Sequence, residues 1–151
     1  MSTETAARQR YIFRDLSGAD AAAVLGELAA AAAGAGLVAD GGVLAAALRE
    51  REALGSTATG GGIAIPHCRL PGFAPPFIAL GVSRQPIPFG AADGQPVRFF
   101  FLVVARELPR GAHLVALRAI ARWLSAGGDP ARLAEAADDG DTPAPLGEVG
   151  A

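Results

Sequence analysis

Residues 97–105, VRFFFLVVA, constrain this chain more than any other stretch. The run is rich in aromatic and β-branched residues and apolar at nearly every position. A strand with one face in water alternates apolar and polar residues, whereas one covered on both faces does not. The run therefore predicts a central strand packed between two layers, and the rest of the chain supplies helices for both. Residues 19–33 are alanine-rich, with Val24, Leu25 and Leu28 on one stripe, and Gly34 and Gly36 end the segment. Asp40 reads as the N-cap of a second helix whose buried side is Val43, Leu44, Ala47 and Leu48. A third helix, over about residues 111–125, places Leu114, Leu117, Ala121 and Leu124 on one face. Asp129-Pro130 opens a short fourth, with the proline at the first helical position.

Further strands are expected at residues 11–13, as an edge, and at 62–66 and 77–83. The prolines and the Asp93-Gly94 pair of QPIPFGAADGQP mark turns. Helices and strands alternate loosely, with hairpin-like turns between some strands, so the expected class is α/β, a mixed β-sheet flanked by helices. A chain of 151 residues suits one domain. We place that domain at residues 1–137. Residues 138–151, acidic and rich in Pro and Gly, read as a flexible tail.

The formal net charge is −2, which gives no reason to expect nucleic acid or an anionic membrane as partner. The single cysteine, Cys68, leaves no internal disulfide, so a reducing, cytoplasmic setting is the default. The polar start MSTETAARQR shows no targeting segment. The longest weakly polar run, residues 28–39, falls short of the roughly 20 apolar residues of a membrane span.

The chemistry-bearing residues are few. Of the two histidines, His67 ends GGGIAIPH, behind a proline that stiffens the strand end and after glycines that admit a close neighbour. Either it is a satisfied structural ring, or it is a presented imidazole that can act as a nucleophile near neutral pH. His113 falls in the first turn of the third helix, where free N–H groups and the dipole favour an anion. It is either a surface residue or part of an anion site. Other templates fail. The phosphate-loop pattern has Gly61 where lysine is needed, the dinucleotide fingerprint has Ile65 where glycine is needed, and no G-x-S-x-G occurs. A zinc site from His67, Cys68 and His113 is disfavoured, because adjacent residues of a strand point to opposite faces.

Three blocks in order, REALGSTATGGGIAIPHCRL (residues 51–70), QPIPFGAADGQPV (85–97) and HLVALRAIARWL (113–124), together resemble the type-2 enzyme IIA domains of the bacterial phosphoenolpyruvate-dependent phosphotransferase system. That family includes fructose-, mannitol- and nitrogen-type members. The resemblance covers most of residues 20–137 and implies the type-2 IIA fold. It also implies a phosphotransferase that works without metal or cofactor. His67 would accept a phosphoryl group from the phosphohistidine of an HPr-like carrier and pass it to a IIB domain or hold it as a signal. Arg51 and His113 would complete the catalytic set, with Ser56 and Thr57 supporting it from outside. Without the resemblance, Arg51 reads as half of a helix-end salt bridge with Glu52 or a neighbour. The short architecture and QPIPFGAADGQPV favour the nitrogen-type regulator over a sugar-transport IIA. A binding module that keeps the fold without transfer is the alternative. Two departures from the pattern stand out: Cys68 follows the histidine where glycine or alanine is usual, which puts a thiol beside the site, and Arg106 stands where proline is frequent.

Overall fold

The computed structural model describes residues 9–71, 75–136 and 145–149. The strands are β1 (Ile12–Leu16), β2 (Ala58–Gly60), β3 (Ile63–Ala64), β4 (His67–Leu70), β5 (Phe77–Ile87), β6 (Val97–Arg106) and β7 (Gly147–Glu148). The helices are α1 (Ala21–Gly34), α2 (Gly41–Ala53), α3 (Ala112–Ser125) and α4 (Pro130–Ala136). The sheet runs β1-β5-β6-β3-β2, with β4 also on β6 and β7 also on β5. β5 and β6 are antiparallel, whereas β1 on β5, and β3 and β4 on β6, are parallel. This is the mixed, helix-flanked sheet expected.

The apolar run is β6, and its residues divide between two cores. Phe100, Leu102 and Val104 pack with Leu25, Leu28, Leu44 and Leu48 of α1 and α2. Phe101 and Val103 pack with Ala116, Ile120, Trp123 and Leu133 of α3 and α4. Burying each such large side chain contributes about 1.5–3 kcal/mol, which is why nearly every position of the run is apolar.

The helix boundaries follow from local chemistry. Asp20 and Asp40 cap α1 and α2 through Ala23 N–H and through Gly42 and Val43 N–H. α1 closes with Gly36 at φ +75° while Leu37 N–H reaches Ala32 O and Gly36 N–H reaches Ala33 O, the left-handed glycine ending that sets its stop. Asp129 Oδ1 accepts from Ala131 N–H at the start of α4.

Four expectations need correction. Val43 is half-exposed rather than buried, and α2 packs through Leu44, Ala45 and Leu48. α3 buries Ala116, Ile120 and Trp123, a stripe one residue, or about 100°, around the helix from the expected one. Leu114 and Ala121 are exposed there. Trp123 decides the rotation, since its ring lies 5.8 Å edge-on from Phe101. β5 runs on to Ile87, four residues past the expected end at 83. Of the stretch expected as a tail, 138–144 and 150–151 lie outside the described residues, but Gly147 and Glu148 pair with Ile78 and Phe77.

β3 and β4 form one line along β6 with an unchanged register (99 − 63 = 36; 103 − 67 = 36). The ladder lapses at Ile65-Pro66, where proline has no N–H to give. Ile65 N–H turns to Thr57 O at 3.0 Å, and Pro66 O still accepts from Val103 N–H at 2.9 Å. His67 opens β4 immediately after this interruption.

Candidate active site

A pocket of about 330 Å³ lies against β4, lined by Ala47, Glu50, Arg51, Leu54, His67, Cys68, Arg69, Glu107 and His113. It draws on the end of α2, the edge strand β4, the residue after β6 and the start of α3. Arg51, His67 and His113, distant in sequence, thus line one cavity.

His67 is held by its own backbone. Its Nδ1 lies 2.7 Å from Ile65 O. A carbonyl oxygen only accepts, so Nδ1 carries the proton and Nε2 the free lone pair. The ring stacks at 11° on that of His113, centroids 5.9 Å apart. His113 follows Gly111, whose φ of +81° begins the helix without a side-chain cap. Its Nδ1 is buried with no hydrogen-bond partner. Burial, followed by the charges of His67, Arg69 and Arg51, lowers the His113 pKa below its ordinary value. That ring is therefore neutral at pH 7.

Arg51 sits in the last turn of α2, where its Nη1 donates to Gly55 O at 3.0 Å. Glu52 does not pair with it. Its carboxylate takes Thr57 N–H and Thr57 Oγ1–H, both at 2.7 Å. Ser56 Oγ donates to Phe89 O and accepts from Ala58 N–H. Ser56 and Thr57 thus stand outside the pocket and tie the loop after α2 in place. The glycine loop also lies outside the pocket. Gly60, Gly61 and Gly62 all have positive φ, a run only glycine adopts without strain, and they turn β2 into β3. Gly61 N–H donates to Asp93 Oδ2 and Gln95 N–H to Asp93 Oδ1, which holds that carboxyl below its usual range.

The family described as "Phosphoenolpyruvate-dependent sugar phosphotransferase system, EIIA 2" matches residues 6–141. This chain is a type-2 EIIA domain. A protein of Pseudomonas aeruginosa named nitrogen regulatory protein is 47% identical over 74 residues, 49% of this chain and 48% of its own length. One of Bradyrhizobium diazoefficiens with the same name is 47% identical over 77 residues, 51% of this chain and 50% of its own. The chain spans about half the length of the curated relatives it matches. The crystal structure of nitrogen regulatory protein IIA-Ntr from Neisseria meningitidis superposes with a TM-score of 0.68 at 30% identity, covering 77% of this chain and 79% of that one. The Escherichia coli mannitol IIA shares the fold, with a TM-score of 0.64 at 18% identity over 89% of this chain and 92% of that one.

Cys68 of this EIIA domain packs into the core although it also touches the pocket. It is buried among α1- and α2-side residues, and burial pushes its thiol up to about 12, far from the thiolate that oxidants attack. Sequence reasoning passed over Arg69, Glu50, Glu107 and Leu54, all of which line the pocket. For Arg69 a signal existed: strand alternation puts residue 69 on the face of residue 67. Among the described residues, no helix is long and apolar enough to cross a membrane.

Proposed function

We propose that this EIIA domain is a phosphocarrier in which His67 Nε2 accepts a phosphoryl group from an HPr-like phosphohistidine protein. The observation that carries the reading is the Nδ1 contact to Ile65 O, which leaves Nε2 unprotonated in a cavity shared with Arg51 and His113. The Nε2 lone pair forms the new N–P bond as the donor's N–P bond breaks, and the electron pair returns to the donor imidazole. Arg51 offers a planar fork to the phosphoryl oxygens. Neutral His113 gives a hydrogen bond to the charge that develops. Phosphoryl transfer asks mainly for positioning and charge stabilisation of this kind. Onward transfer reverses the step toward a IIB domain or a regulated protein.

The rim suits a protein donor. Leu54 lines the pocket and is 83% exposed, Leu108 and Val115, 71% and 64% exposed, line a second cavity at the start of α3, and Leu114 is exposed next to His113. Apolar residues grouped in this way mark a contact face. The nitrogen-regulatory names of the relatives at 47% identity favour regulation over sugar transport as the downstream role, in the cytoplasm where such carriers work. Incubation with phosphoenolpyruvate, enzyme I and an HPr-like carrier, followed by intact mass, tests the reading. One acid-labile phosphate is expected on the wild type and none on His67→Ala. No gain with active upstream proteins refutes it in favour of a binding module that keeps the fold without transfer.

A further inference from the structure

The oxygens of a transferred phosphoryl group carry close to two negative charges near neutral pH, which a His67 ring still protonated at Nδ1 offsets only in part. Among the three residues proposed for transfer, Arg51 brings one positive charge. His113 brings none, because burial and its neighbours' charges keep it neutral. Glu50 and Glu107 also line the pocket and add negative charge of their own. The phosphoryl oxygens on His67 thus meet one guanidinium and two carboxylates among these residues, which leaves a place for a second cation.

β4 supplies it. Along this strand Cys68 is buried and Arg69 exposed, so that Arg69, two residues from His67, shares its face. The pairing of His67 with Val103 and of Arg69 with Ala105 keeps both on that face down the ladder. Arg69 lines the same cavity as His67, Arg51 and His113, and its charge is among those that act on the His113 ring. Among the described residues the strand pairs only with β6, which leaves a side chain at 69 room to reach over the sheet edge towards position 67.

We propose that Arg69 is a second cation in direct contact with the phosphoryl group on His67, reaching it from the strand while Arg51 reaches it from the helix. The proposal rests on His67 being the acceptor. In the unphosphorylated protein, Arg69 shares the pocket with Glu50 and Glu107. As the N–P bond forms, charge gathers on the phosphoryl oxygens and draws both guanidiniums. The contact is therefore stronger in the transition state and product than in the free enzyme, the condition for it to act on rate.

The test compares wild type, Arg69→Gln and Arg69→Lys in transfer from the phosphorylated HPr-like carrier. Melting curves check the fold, and proton NMR follows the His113 ring in the unphosphorylated proteins. Arg69→Gln is expected to lower kcat at saturating carrier about 10- to 100-fold, the range for one charge-assisted hydrogen bond, with less effect on KM. Arg69→Lys should recover part of the loss. The His113 pKa should rise in Arg69→Gln, where a nearby positive charge is gone but His67, Arg51, Glu50 and Glu107 remain. Arg69→Met, which keeps the aliphatic length, replaces the glutamine variant if that one melts early. An unchanged kcat, or a loss confined to KM, makes Arg69 a docking contact and overturns the proposal. A wild type that gains no phosphate refutes the phosphocarrier reading itself, whereas a phosphorylated wild type matched by its variants refutes only the role of Arg69.

Discussion

Replacement of Glu52 by alanine tests whether the loop after α2 is held by one carboxylate. Thr57 is buried, and its N–H and hydroxyl both donate to Glu52 at 2.7 Å. A hydrogen bond to a charged group is worth about 1.5–3 kcal/mol, and the orphaned partners add a desolvation penalty. Two such bonds would sum to about 3–6 kcal/mol. Glu52 is only partly buried, so water recovers some of this, and about 2–4 kcal/mol is expected for Glu52→Ala. At this chain length that lowers Tm by roughly 2–4 °C per kcal/mol. Glu52→Gln is the sharper control. Its amide oxygen can accept from Thr57 N–H while its NH₂ donates to Thr57 Oγ1, so both contacts survive as neutral bonds and about 1 kcal/mol is lost. Urea midpoints with unchanged m-values give both numbers. Because the same loop offers Gly55 O to Arg51, phosphorylation of His67 should slow in step with stability. A loss below about 0.5 kcal/mol in Glu52→Ala, the level of an ordinary surface change, refutes the reasoning.

Other outcomes are expected. Gly128→Ala should cost about 1–3 kcal/mol by overpacking, since a Cβ there would run into the Trp123 ring; an unchanged urea midpoint sinks this. Cys68 should resist iodoacetamide in the native protein at about pH 8 and react once unfolded, and Cys68→Ala should leave transfer unaltered; rapid native labelling contradicts the burial argument. The lowered pKa values of His113 and Asp93 mean that the native state binds fewer protons than the unfolded one. Their contributions are complete above the ordinary values of 6.5 and 3.8 and fade as pH falls below each. Urea midpoints against pH should flatten near neutrality in His113→Gln and in the acid range in Asp93→Asn.

The sequence made the central strand legible because burial on both faces leaves no room for polar residues in β6. The helix caps were legible because Asp20, Asp40 and Asp129 act on N–H groups two or three residues away; of these, Asp40 and Asp129 were read directly. The face of α3 was not, since Leu114, Leu117 and Leu124 are as apolar as Ile120 and Trp123, and only the position of Phe101 chooses between the stripes. The gathering of Arg51, His67 and His113 was reached by resemblance, because no local rule joins a helix end, a strand edge and a distant helix start. Leu54 was missed for the same reason, and Arg69 was missed although alternation puts it on the face of His67. Strand alternation gives a face, but which neighbours share that face is a property of the sheet. The glycine loop does admit a close neighbour, but that neighbour is the Asp93 carboxylate outside the pocket, and the left-handed residues also serve the turn.

The carboxylate of Glu52 reaches further than the loop it ties. Pro66 O accepts from β6, so the carbonyl of residue 65 faces the other way, towards Thr57. Thr57 N–H, which could close the pair that Ile65 N–H opens, is held by Glu52 instead, and the carbonyl is left to the imidazole two residues on. A single carboxylate thus helps select a tautomer. Were it to release that N–H to the strand, the histidine would stay where it stands while its population divided between a ring that can attack and one that presents only N–H.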